Sequence, residues 1–288
     1  MRRIALLTHP GAGRGRGAAA REVALPRLRR AGFEVLDLVG GSAEEASALA
    51  RDAVAGGVEA LVACGGDGTV HLALQHVAGT GTALGVVPAG TGNDLARELG
   101  IPADPAGAAD RVVGGARRTL DLARVGDRWV ATVVACGFDA LVADRAAAMT
   151  WPRGPSRYVL ATAVELRHLQ PRRYTLELDG QVRTVEAVLA AVGNTSSFGG
   201  GLRITEGART DDGLLDVVVV RSLDRRGLVR AFPSLYRGTH TGHPAYEHHR
   251  VRSVTVAAAG ITAYADGEPV GPLPLTVTTV PAAVEVLA

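Results

Sequence analysis

Apolar positions along the first 127 residues fall into two alternating patterns. Short continuous apolar runs, typical of buried strands, stand at 2–9, 33–39, 59–66 and 83–90. Longer segments of helical composition follow them, at 17–32, 41–57, 70–78 and 93–100. Strands that alternate with helices favour a parallel sheet covered by helices on both faces. The pattern therefore predicts an α/β unit over this part of the chain.

The pattern changes near residue 119, beyond which apolar runs of strand type dominate. Asp-Gly or glycine-rich turns separate several of these runs, as is typical of antiparallel hairpins. Two helical stretches interrupt them, at 156–169 and 225–238. We predict an N-terminal α/β domain at 1–127 and a C-terminal antiparallel β-rich, sandwich-like domain at 128–288. The final strand is a candidate to pack back on the first domain.

Composition narrows the classes of function. The 288 residues are 47% apolar, enough for a sizeable core, and a net charge of +2 gives no strong basic field for nucleic acid. The chain contains no lysine, which excludes P-loop proteins, protein kinases and Schiff-base enzymes. Cys64 and Cys136 each follow an apolar run and are expected to be buried free thiols. No uncharged apolar run reaches the ~18 residues of a membrane span, so we expect a cytoplasmic protein.

Three glycine-rich turns follow predicted strands, at 9–17, 65–69 and 88–94. Ligands of open parallel sheets bind beyond the carboxyl ends of the strands. Glycines and helix N-termini let backbone N–H groups approach an anion, so three such turns suit a polyphosphate. Asp67 and Asp94 would repel phosphates unless a cation lay between them, which implies Mg²⁺. Each turn taken alone is also compatible with a plain strand–helix connection.

Several motifs give the chain a family resemblance over nearly its whole length. They are "GGDGT" at 65–69, "VPAGTGNDLARELGIP" at 87–102, "GARTDDGLLDVVVV" at 207–220 and "ADGEPV" at 265–270. The chain resembles the diacylglycerol kinase catalytic-domain family, which comprises bacterial soluble lipid kinases related to sphingosine kinases. NAD kinases share the first motif, and the C-terminal motifs separate the two families.

The resemblance implies an ATP-dependent lipid kinase that uses Mg²⁺ and places the nucleotide between the domains. Asp67, Asp94 and Asp121 would organise the catalytic Mg²⁺, and Glu268 would take the proton from the lipid hydroxyl. The residues implied at the ATP site are His9, Pro10, Gly11, Ala12, Gly13, Ser42, Gly66, Asp67, Gly68, Thr69, Val70, His71, Leu72 and Thr91. From the residues alone, Glu268 is a solvated side chain beside an Asp-Gly turn.

The resemblance also implies a second, structural Mg²⁺ in the "DDGLLD" loop. Its ligands would be the Asp212 carboxylate and the backbone carbonyls of Arg209 and Leu214. The alternative is a solvated Asp-Gly turn without a metal, in which Asp211 and Asp216 are ordinary turn residues.

The chain departs from the family pattern at three places. His9 replaces the opening asparagine, His71-Leu72 replaces an Asn-Glu pair, and Thr205-Glu206 stands where a proline is usual. Leu72 cannot supply the polar contacts of a glutamate. Three alternatives therefore stay open: an NAD kinase-like enzyme, a soluble polyol kinase, and a catalytically weak nucleotide-binding regulator.

A lipid substrate requires access to a membrane surface. The segment 149–159 combines Trp151 and Tyr158 with arginines, which suits peripheral contact with the inner face of an anionic membrane. An ordinary loop with Trp151 packed inward is the alternative. We expect no nucleic-acid partner, and a homodimer is compatible with the sequence. The histidines at 238–250 fit no zinc spacing, so we predict a solvated loop there.

Overall fold

The computed structural model describes residues 2–9, 15–152 and 155–288. Its N-terminal half is built on four parallel strands in the order β4-β3-β1-β2. They are β1 (Arg3–Thr8), β2 (Glu34–Val39), β3 (Ala60–Gly65) and β4 (Ala83–Pro88). The helices of this half are α1 (Arg16–Arg30), α2 (Ala43–Ala55), α3 (Asp67–Val77), α4 (Asp94–Glu98) and α5 (Pro105–Gly114). Every residue of β3 and β4 is buried, which explains their continuous apolar runs. The predicted parallel α/β unit is confirmed.

The second half is mainly antiparallel, as predicted. Its strands begin with β5 (Arg117–Val125), β6 (Arg128–Val130), β7 (Val133–Ala135), β8 (Arg172–Leu178) and β9 (Gln181–Gly193). They continue with β10 (Leu215–Arg221), β11 (Tyr246–Val251), β12 (Ser253–Ala257), β13 (Thr262–Ala265), β14 (Glu268–Pro272) and β15 (Leu275–Leu287). The helices are α6 (Phe138–Ala148), α7 (Pro155–Arg167) and α8 (Arg225–Arg237). No described helix is long and apolar enough to cross a membrane.

Strand β15 joins the two halves into one continuous sheet. Its first part pairs antiparallel with β12, and it pairs antiparallel with β5 from Val277 to Leu287. Its last residues also pair in parallel with β4, where Val286 lies opposite Leu84. The register shifts between Val280 and Val284, and Ala282 has a φ of 53° within this bulge. Val286 is fully buried in the core of the N-terminal half. The final strand therefore completes the first sheet.

The segment 238–250 and the residue Asp216 differ from the sequence prediction. The stretch 238–250 is a 3-10 helix (Thr239–Gly242) followed by β11, where a solvated loop was predicted. His240 is buried, and its ring packs edge-on against Tyr246 with the centroids 4.9 Å apart. Asp216, offered as a solvated turn residue, is fully buried on β10. Pairing of β11 with β10 causes both differences, since it buries groups whose local sequence is polar.

Helices α5 and α6 have no counterpart among the predicted elements. The start of α5 carries recognisable signals, because Asp104 accepts a hydrogen bond from the Gly107 N–H (2.7 Å) and Pro105 stands in the first turn. Helix α6 begins beside Asp139, whose Oδ1 accepts the N–H groups of Gly137 (3.1 Å) and Ala140 (2.9 Å). Ser42 and Glu45 have the sequence spacing of a capping box, and the Ser42 hydroxyl accepts the Glu45 N–H at 3.2 Å at the start of α2.

Candidate active site

The carboxylate of Asp67 joins the turns that follow β3 and β4. Its Oδ1 accepts the N–H of Asp94 at 2.7 Å, and its Oδ2 accepts the N–H of Asn93 at 2.8 Å. Glycines make this approach possible: a Cβ on Gly90 would lie 2.6 Å from the Cα of Gly66. The side chain of Asp67 is therefore fixed at the carboxyl edge of the parallel sheet, at the first residue of α3.

A second carboxylate, that of Asp94, converges on the same point. A Cβ placed on Gly92 would lie 2.4 Å from Oδ2 of Asp67 and 3.4 Å from Oδ2 of Asp94. Burial raises the pKa of Asp67, and the nearby charge of Asp94 adds to the rise, whereas the backbone N–H of Asp94 opposes it. Asp94 is buried and Asp67 is partly buried, and carboxylate oxygens are the hard ligands that Mg²⁺ prefers, so this pair fits such an ion.

Arg97 and a turn from the C-terminal half complete the surroundings of Asp94. The Arg97 Nη1 donates to Asp94 Oδ1 at 2.6 Å, and its Nη2 donates to the carbonyl of Gly92. The Gly200 N–H donates to Asp94 Oδ1 at 3.0 Å. Neither Arg97 nor Gly200 is among the site residues predicted from the sequence. The i, i+3 spacing of Asp94 and Arg97 on a helix indicates that Arg97 can pair with Asp94. No local sequence signal marks Gly200.

Glu268 stands at the start of β14, in a hairpin that α3 holds from the other half of the chain. Asp266 Oδ2 accepts a hydrogen bond from His71 Nδ1 at 3.0 Å, and Asp266 Oδ1 accepts the Thr132 N–H at 3.1 Å. Asp266 and Gly267 have φ values of 50° and 89°, as a type I′ turn requires. The Glu268 side chain is exposed. His71 is one turn beyond Asp67 on α3, so one helix contacts both the glycine turns and the hairpin.

Asp121 has a different environment from the other two aspartates. Its Oδ2 accepts the Gly213 N–H at 2.6 Å, and its Oδ1 accepts the Ala282 N–H at 2.8 Å. Within the described part of the chain, neither oxygen is hydrogen-bonded to Asp67 or Asp94. The structure thus gives Asp121 a clamping role between the "DDGL" loop and the β15 bulge, and its predicted part in organising Mg²⁺ stays a prediction.

In the "DDGLLD" loop, both carboxylate oxygens of Asp212 have partners within the protein. Asp212 Oδ1 accepts the Leu214 N–H at 3.1 Å, and Oδ2 forms an ion pair with the Arg250 guanidinium. The Arg209 side chain pairs with Asp211 at 3.1 Å. A Mg²⁺ ion bound by Asp212 and the carbonyls of Arg209 and Leu214 would have to displace the Arg250 guanidinium, and this predicted metal stays a prediction.

The side chains predicted to line the nucleotide divide into three groups. Pro10, Gly11, Ala12 and Gly13 lie outside the described residues. Gly66, Gly68 and Thr91 stand at the open edge of the sheet, whereas Thr69 and Val70 are buried beneath it and Leu72 packs partly buried against the N-terminal core. His9 contacts the Gly40 carbonyl at 3.0 Å through Nδ1, and the Ser42 hydroxyl caps α2. Backbone groups therefore dominate this edge, as phosphate binding requires.

Comparison with known proteins agrees with this architecture. The diacylglycerol kinase catalytic domain model matches residues 3–125, and the YegS C-terminal NAD kinase beta sandwich-like domain model matches residues 132–288. A diacylglycerol kinase of Mycobacterium tuberculosis is 44% identical over 99% of this chain and 94% of its own length. A diacylglycerol kinase of Staphylococcus aureus is 27% identical over 95% of this chain and 88% of its own.

Solved structures share the fold. A crystal structure titled as a diacylglycerol kinase from Bacillus anthracis superposes with a TM-score of 0.77 at 22% identity and covers 99% of this chain and 96% of its own. A second structure from the same organism reaches a TM-score of 0.84 at 22% identity and covers 99% and 95%. Both support the arrangement of an α/β half and an antiparallel half.

Proposed function

Because this chain belongs to the diacylglycerol kinase family, we propose that it transfers the γ-phosphoryl group of ATP to a hydroxyl of a membrane lipid such as diacylglycerol. The observation that carries this proposal is the Asp67 carboxylate, fixed between two glycine turns at the sheet edge and converging with Asp94. Phosphoryl transfer needs positioned reactants and neutralised charge rather than much covalent chemistry from the protein.

The N-terminal half would hold the nucleotide. The glycine-rich start of α3 and the turn after β4 would donate backbone N–H groups to the phosphates, as helix N-termini do in anion sites. Asp67 and Asp94 would hold Mg²⁺, which supplies charge neutralisation to the phosphate oxygens when bound. Arg97 keeps Asp94 oriented, and its side chain is 43% exposed, so its positive charge would be accessible to phosphate oxygens.

The C-terminal half would hold the acceptor. Glu268 lies at the start of β14, on the hairpin that His71 and Asp266 tie to α3. As general base, its carboxylate would accept the proton of the lipid hydroxyl while the hydroxyl oxygen forms a bond to the γ-phosphorus. The bond between the γ-phosphorus and its bridging oxygen breaks, and ADP leaves. The exposure of Glu268 suits a substrate that arrives from outside the protein.

Phosphate transfer from radiolabelled ATP tests the proposal with three acceptors offered side by side: diacylglycerol in vesicles, NAD and glycerol. We expect label in the lipid fraction, and loss of that label in Asp67→Asn. The control variant is Asp127→Asn, since the Asp127 side chain is fully exposed on a turn. Label in NAD or glycerol would show that this compound, and not the lipid, is the phosphate acceptor. Nucleotide binding without transfer to any acceptor would instead indicate a regulator.

A further inference from the structure

Helix α8 (Arg225–Arg237) has no buried residue although it carries several large apolar side chains. Val229, Phe232 and Tyr236 are 54%, 42% and 50% exposed. Spacings of three and four residues put these positions on one side of a helix. The rings of Phe232 and Tyr236 pack edge-on with their centroids 5.6 Å apart. The helix therefore presents a continuous apolar stripe to solvent.

The opposite side and both ends of α8 are attached to the protein, so the stripe has a fixed orientation. Leu235 packs partly buried against the core cluster that contains Val218, and its carbonyl accepts the Arg203 N–H at 3.0 Å. Asp224 caps the first turn through the Gly227 N–H at 2.7 Å. Gly238 ends the helix with a φ of 69°. A helix capped at both ends and anchored on one side is a folded element whose outer apolar face lacks a partner.

Charge on this helix has one sign. Its arginines are Arg225, Arg226, Arg230 and Arg237, and the sequence between them contains no acidic residue. None of the four forms an ion pair or a side-chain hydrogen bond with another residue of the described ranges. The whole chain carries a net charge of only +2, so this positive charge is a local property of α8. Unpaired arginines beside an apolar stripe complement a surface that is both negative and apolar.

A second exposed apolar group lies on α7 and the segment before it. Trp151 is 77% exposed, which excludes the inward-packed alternative, and Tyr158 and Val159 are 54% and 71% exposed. Ten large apolar side chains are exposed among the described residues, and seven of them belong to 151–160 or to α8. Arg225 at the start of α8 and Leu169, two residues beyond the end of α7, line one open groove of about 550 Å³.

We infer that α8 docks on the surface of an anionic lipid bilayer, with its apolar stripe in the headgroup region and its arginines against lipid phosphates. The inference rests on the proposed function, which requires the acceptor lipid to be reached in a membrane. Amphipathic basic helices bind such surfaces through apolar burial together with attraction to anionic lipids. The helix spacing, the unpaired arginines and the anchoring of one side support this occupant over a soluble acidic partner.

Vesicle flotation of the full chain tests the inference. The vesicles contain either phosphatidylglycerol with phosphatidylcholine or phosphatidylcholine alone. We expect binding only to the anionic vesicles, weakened by salt, and at least about tenfold weaker binding for the double variants Phe232→Ser/Tyr236→Ser and Arg226→Gln/Arg230→Gln. The matched controls are Val182→Ser, an exposed apolar residue of β9, and Arg29→Gln/Arg111→Gln on α1 and α5. Circular dichroism confirms that each variant is folded.

Enzyme assays separate failure of this inference from failure of the proposed function. With a water-soluble short-chain diacylglycerol, the α8 variants should keep the wild-type rate, whereas with diacylglycerol in anionic vesicles their rate should fall in step with binding. Wild-type binding by all α8 variants would overturn the inference and leave the kinase proposal standing. Vesicle binding without phosphorylation of either lipid would overturn the kinase proposal alone. If the wild type is a dimer that the α8 substitutions dissociate, and it does not bind vesicles, then α8 docks on a second copy of the chain and not on a membrane.

Discussion

The imidazole of His71 donates from Nδ1 to Oδ2 of Asp266 at 3.0 Å, and 195 residues of sequence separate the two side chains. The contact joins α3, which begins at Asp67, to the hairpin that carries Glu268. Both side chains are largely buried, with 12% and 5% of their surface exposed. Asp266 also binds the backbone N–H groups of Ala131 and Thr132, so the hairpin is held on two sides. The proposed base and the phosphate edge therefore share one rigid support.

His71→Ala should lower kcat by roughly tenfold to a hundredfold, because the hairpin loses its support on α3 and a small misplacement of Glu268 is costly. His71→Asn should restore part of this loss, since an amide N–H can reach toward Asp266. Steady-state rates and calorimetric nucleotide binding on each variant check this. We expect nucleotide affinity to stay within a few-fold of wild type. His76→Ala is the control, because His76 is on the same helix but contacts Ser47. Equal losses in both alanine variants would assign His71 a purely structural role.

Glu268→Gln should reduce kcat by ~10²–10⁴, the usual contribution of general-base catalysis. Glutamine preserves the shape of the side chain but cannot accept a proton at neutral pH. ATP affinity should not change, because the proposed contact of Glu268 is with the acceptor hydroxyl. Paired measurements of lipid phosphorylation and nucleotide binding check both expectations, with Glu186→Gln on the exposed face of β9 as the control. Loss of ATP binding would indicate that Glu268 contacts the nucleotide. An unchanged rate would indicate that it is only a turn residue.

Asp139 should make the stability of the protein depend on pH. Burial raises its pKa to about 6, and its Oδ2 is buried without a hydrogen-bond partner. Between pH ~4 and ~6 the folded chain then binds more protons at this site than the unfolded chain, so the free energy of unfolding falls as pH rises through this window. The full loss, ~3 kcal/mol for a rise of about two pKa units, is reached above pH 6.

Asp139→Asn should abolish this pH dependence, since the amide cannot ionise and its oxygen can still accept the two N–H groups. Urea unfolding at pH 4 and pH 7 compares the two proteins, with Asp127→Asn as the matched surface control. We expect the variant to gain stability relative to wild type at pH 7 and not at pH 4. A constant difference across this range would show that Asp139 ionises normally.

The ion pair of Asp212 with Arg250 should stabilise the "DDGLLD" loop without a metal. Asp212→Asn and Arg250→Gln should each lower Tm by about 2–4 °C, the shift that ~1 kcal/mol produces in a chain of this size. If the ion pair alone holds the loop, EDTA should leave the Tm of the wild type unchanged, and so should Mg²⁺ in the absence of nucleotide. Differential scanning calorimetry measures all three effects. A rise in the wild-type Tm with Mg²⁺ that Asp212→Asn removes would establish a metal there in place of the arginine.

The sequence reveals those parts of the fold whose cause is local. Apolar runs such as β3 and β4 predict buried parallel strands, and the glycines around Asp67 predict close backbone approach at their ends. The position of Ser42 before Glu45 predicts the start of α2. Each of these signals works within a few residues of the structure it specifies, so a single sequence suffices.

The remaining contacts depend on residues far apart in the chain. Nothing near Asp216 shows that β11 will pair beside it and bury its carboxylate. Nothing near Asp121 shows that the N–H groups of Gly213 and Ala282 will occupy its oxygens. The partner of Asp212 is likewise set by the register between β10 and β11, which places Arg250 opposite Asp216. Family resemblance supplied roles for some of these residues, but the contacts themselves required the tertiary structure.

The path of β15 also constrains the order in which the chain can fold during synthesis. The strand beside β4 comes from residues 286–287, which leave the ribosome after the other elements described above have been made. Until then one edge of the N-terminal sheet has no partner strand, and exposed edges of this kind are prone to pair with other chains. The half that is translated first is therefore completed last, and a nascent chain that stalls before β15 leaves the nucleotide-binding half unfinished.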